Sequence, residues 1–180
     1  LPVGDQAFIY GGASYFRTGD FSFLKQGGYC HIYPYQLGLI SLIELLYHVT
    51  GPFQYRPLQV INALAAAGIV YVGYRLVKEW CGSFCTEVLY GLLVSLCFPL
   101  FFYTPWVYGD ILSIFLAFLG FFFLCRYEKR KRAGYLAGMI SALTLAQLVR
   151  QSTTIVYVAL FAVVLVYFMG KRDKRLLAAA

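Results

Sequence analysis

The chain has 180 residues, 61% of them hydrophobic and 13% charged, and its mean hydropathy is +0.69. Soluble domains average roughly 45–50% apolar and about 25% charged residues, so this balance excludes an ordinary soluble enzyme and points to an integral membrane protein. The net charge of +7 is no nucleic-acid signature: Arg126 to Arg132 carries +4, Lys171 to Arg175 carries +3, and the remaining charges cancel. The excess therefore lies in two short segments beside apolar runs, as the positive-inside rule expects of cytoplasmic loops.

The first 38 residues differ from everything that follows. They carry Asp5, Gln6, Arg17, Asp20, Lys25, Gln26, His31 and Gln36 among aromatics, with seven glycines but only two serines. That is not the composition of a solvated linker, and it predicts a folded cap on one membrane face. Asp5 to Arg17 reads as a short helix whose Phe8, Ile9, Tyr15 and Phe16 face the membrane. Gly19-Asp20 and Gly27-Gly28 are turn signals.

Tyr35 to Val49 is an apolar run containing Glu44 and His48. A span needs about 20 residues, so the run is expected to lie in the interface, ended by Thr50-Gly51-Pro52. Five spans are then expected: Pro57 to Val77, Phe84 to Phe102, Tyr108 to Cys125, Gly134 to Val149 and Thr153 to Met169. The predicted architecture is all-α and polytopic, with an external loop over residues 1–56 and a transmembrane helical domain over 57–180. The chain opens without the basic and apolar regions of a signal peptide. Both ends suggest a piece of a longer multi-span protein, with a helix expected before Leu1. The five cysteines lack metal-site spacing and read as small apolar residues.

The basic segments set the orientation. With both on the cytoplasmic side and Tyr35 to Val49 lying flat, Asp5, Asp20, His31, Arg56, Asp110 and Arg150 share the outer face. Acids, a histidine and guanidinium groups together suit an anionic lipid-linked substrate. Asp5 reads either as the N-cap of its helix or as a general base for an acceptor hydroxyl. Asp110 either caps the helix it opens or faces a cavity. Arg150, in LAQLVRQSTT, is a phosphate ligand or a residue that snorkels to the headgroups. Arg56 and Arg17 are weaker forms of the same idea. His31, beside Tyr33 and Gln36 in the YPYQLG run, is a proton-transfer or phosphate-binding group, or a hydrogen-bonded structural residue. There is no glycine-rich phosphate loop and no nucleophile elbow, so a soluble nucleotide has no visible cradle.

This layout resembles the GT-C superfamily of polytopic glycosyltransferases, in the branch of protein O-mannosyltransferases and bacterial lipid A aminoarabinose transferases. Asp5-Gln6 stands at that branch's acidic motif, Tyr33-Pro34-Tyr35-Gln36-Leu37-Gly38 at its Pro motif, Val49-Thr50-Gly51 at the turn after the second juxtamembrane helix, and Arg56 at the start of the next span. Asp110 falls where many members carry an acidic residue, and the likeness covers residues 5 to about 125. Here Gln6 replaces the second acid, and Tyr-Pro-Tyr-Gln replaces the usual Lys-Pro-Pro type. The resemblance implies inverting transfer of a sugar from a polyprenyl-phosphate donor on the outer face of the cell membrane. Asp5 would be the base. Asp20, His31, Tyr33, Gln36, Arg56, Asp110 and Arg150 would bind substrate. Most members of the branch need no metal, although Asp5 with Asp110 is a conceivable divalent-cation pair. The sugar and the acceptor stay open. The alternatives are a transporter or lipid flippase, or a non-catalytic membrane scaffold.

Overall fold

The computed structural model describes residues 4–106 and 108–162. Among them every regular element is helical. The helices are α1 (Asp5–Arg17), α2 (Tyr29–Ile32), α3 (Leu37–Thr50), α4 (Arg56–Trp80), α5 (Phe84–Ser95), α6 (Phe98–Phe102), α7 (Asp110–Arg130) and α8 (Ala133–Val149). A 3-10 turn at Gln151–Thr153 leads into a further apolar helix that reaches Ala162. The segment Lys171 to Arg175 and the end of the last predicted span lie outside the described residues.

The cap folds as a unit. Ile9, Tyr10 and Ala13 of α1 pack on Leu39, Ile40, Ile43 and Tyr47 of α3, and Cys30, Leu58 and Val149 complete one buried cluster. Tyr10 stands at the centre, its ring 4.7 Å from that of Tyr55 and 6.1 Å from that of Tyr47. The expected membrane-facing side of α1 is therefore corrected. Ile9 is wholly buried against α3, because four-residue spacing aligns it with Ala13. Phe8 and Tyr15, on the other side, are 53% and 46% exposed.

α4 and α7 are each long and apolar enough to cross a membrane. The span expected over Phe84 to Phe102 is broken instead. α5 stops at Ser95, Cys97 leaves the helical region at ψ 70°, and α6 restarts with Pro99 in its first turn. A proline there has no N–H to give to an uninterrupted helix. α8 has 17 residues, about 26 Å at 1.5 Å per residue, which is short of a hydrocarbon core of about 30 Å.

α7 and α8 form a hairpin. Lys131, left-handed at φ 50°, closes α7, and α8 starts two residues later. The close fit comes from small residues: a Cβ on Gly120 would meet Leu143 at 2.8 Å, and one on Gly138 would meet Phe123 at 3.0 Å. Because the two helices run back along each other, the start of α7 and the end of α8 lie at the same end of the molecule.

Candidate functional site

That end holds the polar residues. Arg150, at the C-terminus of α8, donates from Nε to Asp110 Oδ1 at 2.8 Å, with side chains 27% and 34% exposed. Its guanidinium lies 5.2 Å from the centre of the Tyr108 ring. The loop carrying Tyr108 is fixed from α4. Asn62, fully buried, donates to the carbonyls of Trp106 at 2.8 Å and Tyr108 at 3.4 Å. Gln59 donates to the carbonyl of Pro105 at 2.9 Å.

The cap closes over this corner. Gly38 lies against the Leu148 carbonyl, which puts the start of α3 beside the end of α8. A pocket of about 250 Å³ results, lined by Asp5, Tyr35, Gln36, Tyr108, Arg150, Gln151 and Ser152. Gln36 is 3% exposed, and its Oε1 finds no hydrogen-bond partner among the described residues. A buried acceptor without a donor is costly, and a ligand hydroxyl in the pocket would satisfy it.

Asp5 is not an N-cap. Gly4 takes that position at φ 61°, and Asp5 stands in the first turn of α1 with its carboxylate free of capping. The amino end of a helix is a favourable place for a carboxylate. Asp110 likewise follows the cap residue Gly109 and makes no capping bond. The Tyr108 phenol is pushed above its ordinary value, first by burial and then by the charge of Asp5; Arg150 acts the other way, and a hydrogen bond with Asp5 adds to the rise. The Tyr29 phenol is raised too, again by burial first and by Asp5 second. Two tyrosines thus flank the Asp5 carboxylate.

A second, larger cavity of about 630 Å³ adjoins Arg150 and Asp110 on the other side. Its walls are otherwise almost wholly apolar, from Ile69, Leu100, Ile111, Ile114 and Phe118 among others. The Asp110–Arg150 pair thus belongs to the lining of this cavity, and Arg150 also lines the polar pocket.

Of the residues singled out from sequence, Asp5, Gln36, Asp110 and Arg150 are gathered here. The others are not. Asp20 lies in the turn beyond α1, fully exposed, accepting from the Ser22 backbone N–H at 2.8 Å, a bond that lowers its pKa. α1 itself, with 13 residues, separates it from Asp5 by about 20 Å. His31 is exposed on α2, and Tyr33 packs at a tilt against Tyr29 and edge-on to Tyr35 without lining the pocket. Arg56 opens α4 exposed and away from the lining. Tyr35, Tyr108, Gln151 and Ser152 join the site without having been marked individually from the sequence. For Tyr108 the available signal was its place immediately before Gly109-Asp110.

Among the described residues no three metal-capable side chains gather. No protein family, curated protein or solved structure matches the chain.

Proposed function

We propose that the chain is the cap and helical core of a multi-pass membrane glycosyltransferase, with its site on the extracytoplasmic face. It moves a sugar from a polyprenyl-phosphate carrier to an acceptor hydroxyl with inversion. One observation carries this reading: a polar pocket holding a carboxylate and a guanidinium adjoins an apolar cavity, and Arg150 lines both. An amphiphile with an anionic head and a hydrocarbon tail has that shape and polarity.

In the proposed step Asp5 takes the proton of the acceptor hydroxyl, and the oxygen attacks the anomeric carbon. The bond from that carbon to the phosphate oxygen breaks, and its electron pair leaves with the carrier phosphate. Arg150 balances the growing negative charge, an interaction that strengthens as the bond breaks. Gln36 and Tyr108 orient the sugar and Asp5 respectively.

The test uses membranes containing the full chain and a radiolabelled polyprenyl-phosphate sugar. Asp5→Asn is expected to lower transfer by about 10²–10⁴-fold, the usual contribution of a general base, with expression and thermal stability unchanged. Transfer at the parent rate would remove Asp5 from the chemistry. A carrier-lipid transporter would need the phosphate-binding Arg150 but not Asp5, so the same variant separates the two readings.

A further inference from the structure

The opposite end of the α4–α7 pair carries a second constellation. Along α7 the residues involved, Phe121 to Arg130, lie about 17–30 Å from Asp110, so this end is independent of the chemistry proposed there. An apolar cavity of about 300 Å³ is lined by Leu76, Val77, Trp80 and Cys81 of the α4 end and by Phe121 and Cys125 of α7. Trp80 donates from Nε1 to Cys125 Sγ at 3.2 Å, bridging the two helices at the rim, and yet remains 75% exposed. An indole so exposed beside an apolar hollow is suited to the boundary between headgroups and chains.

The polar surroundings are cationic. Arg75, Lys78, Arg126, Lys129, Arg130, Lys131 and Arg132 stand at this end against Glu79, Glu87 and Glu128, seven cations to three carboxylates, a net +4. The carboxylates are already engaged. Glu79 holds Arg126 at 2.6 Å, Lys129 at 3.2 Å and Arg75 at 3.8 Å. Glu87 accepts from Tyr74, and Glu128 pairs with Lys131. Among the described residues, one carboxylate shared by three cations leaves positive charge without a counterion. Helical spacing puts that charge next to the cavity without lining it: Lys129 follows Cys125 and Phe121 at intervals of four, and Lys78, exposed and donating to the Tyr74 hydroxyl at 3.4 Å, precedes Cys81 by three.

We propose that this end binds an anionic phospholipid. One chain enters the cavity beside Trp80, and the headgroup phosphate lies among Lys78, Lys129 and the neighbouring arginines. Charge complementarity selects the headgroup, and the apolar hollow requires a chain attached to it.

The chain has two tryptophans, so Trp106→Phe leaves Trp80 as the sole indole reporter. The full chain with that change is placed in phosphatidylcholine nanodiscs, and the bilayer is titrated with chain-brominated phosphatidylglycerol or chain-brominated phosphatidylcholine. Phosphatidylglycerol is expected to reach half-quenching at a several-fold lower mole fraction. Lys78→Gln with Lys129→Gln should weaken that preference by about fivefold for each cation removed. The Arg126–Glu79 pair is untouched by these changes and still ties α4 to α7. Equal quenching by the two lipids in the parent chain overturns the proposal, and this comparison needs no charge variant to fold. Retention of the full preference in the double variant would also overturn it. Reversal of the quenching by millimolar inorganic phosphate would assign the cations to a soluble anion and refute the lipid.

Discussion

Gly38→Ala tests how the site is assembled. A Cβ at this position overlaps the Leu148 carbonyl oxygen and lies 2.6 Å from the carbonyl carbon. The obstacle is backbone, so no side-chain rotation relieves it, and α3 must move away from the end of α8. That motion opens the packing of Leu39, fully buried, and of Val149, 7% exposed. Overpacking of this kind costs roughly 1–3 kcal/mol. Alanine returns about 0.5–1 kcal/mol of helix propensity over glycine, which leaves a net loss of about 1 kcal/mol at the middle of both ranges. For a chain of this size that is a fall in the unfolding midpoint of roughly 2–5 °C. The matched control is Gly91→Ala in α5, where an added Cβ meets nothing within 4 Å. That change should hold or raise the midpoint. The assay is thermal unfolding of both purified variants in one detergent. Gly38→Ala also separates Gln36 from Arg150, so transfer should fall further than the stability loss explains. A Gly38→Ala chain as stable as the parent, or one that shifts in the same direction as Gly91→Ala, would refute the close approach of α3 and α8.

Arg150→Lys keeps the charge but loses the planar fork and the stacking over Tyr108, and should raise the KM for the lipid donor about tenfold; Arg150→Gln should cost more and lower kcat as well. Steady-state kinetics on the labelled donor measures both. Asn62→Leu removes the donor that holds the carbonyls of Trp106 and Tyr108, leaving them unpaired at a cost of about 1–3 kcal/mol; a lower unfolding midpoint together with reduced transfer is expected, and an unchanged midpoint would contradict the anchoring role. Burial, with a smaller contribution from Tyr55, pushes the Tyr47 hydroxyl up to about 12. An unfolded tyrosine ionises near 10, so this group's contribution to stability is complete below pH 10 and is lost as pH rises toward 12. Denaturant midpoints measured from pH 9 to 11.5 should fall in the parent and fall less in Tyr47→Phe.

The bounds of α1, the end of α3 at Gly51, and the length and apolarity of α4 and α7 were all legible in the sequence. Each depends on local pattern: turn residues, an apolar period or an apolar run. The interruption between α5 and α6 was present as Pro99 but was hidden by continuous hydrophobicity, which registers burial or lipid and not helix continuity. The side of α1 that turns inward was misread because Phe8 and Ile9 are equally apolar, and only the groove offered by α3 distinguishes them.

The candidate site depended on tertiary structure far more. Asp110 and Arg150 are forty positions apart in the sequence, and no local rule pairs them; the α7–α8 hairpin does so by returning the chain to its starting level. Asp5 and Gln36 reach Arg150 because glycine at position 38 lets α3 touch the backbone of α8. Asp20 and His31 have the same residue chemistry on paper, but a rigid helix and an exposed turn keep them from the pocket. The sequence by itself determined that the chain has an apolar helical body with a polar cap, since those properties follow from transfer free energies residue by residue. Which carboxylate meets which guanidinium was decided only by packing, because charges act through space and the chain's order does not encode the distance between them.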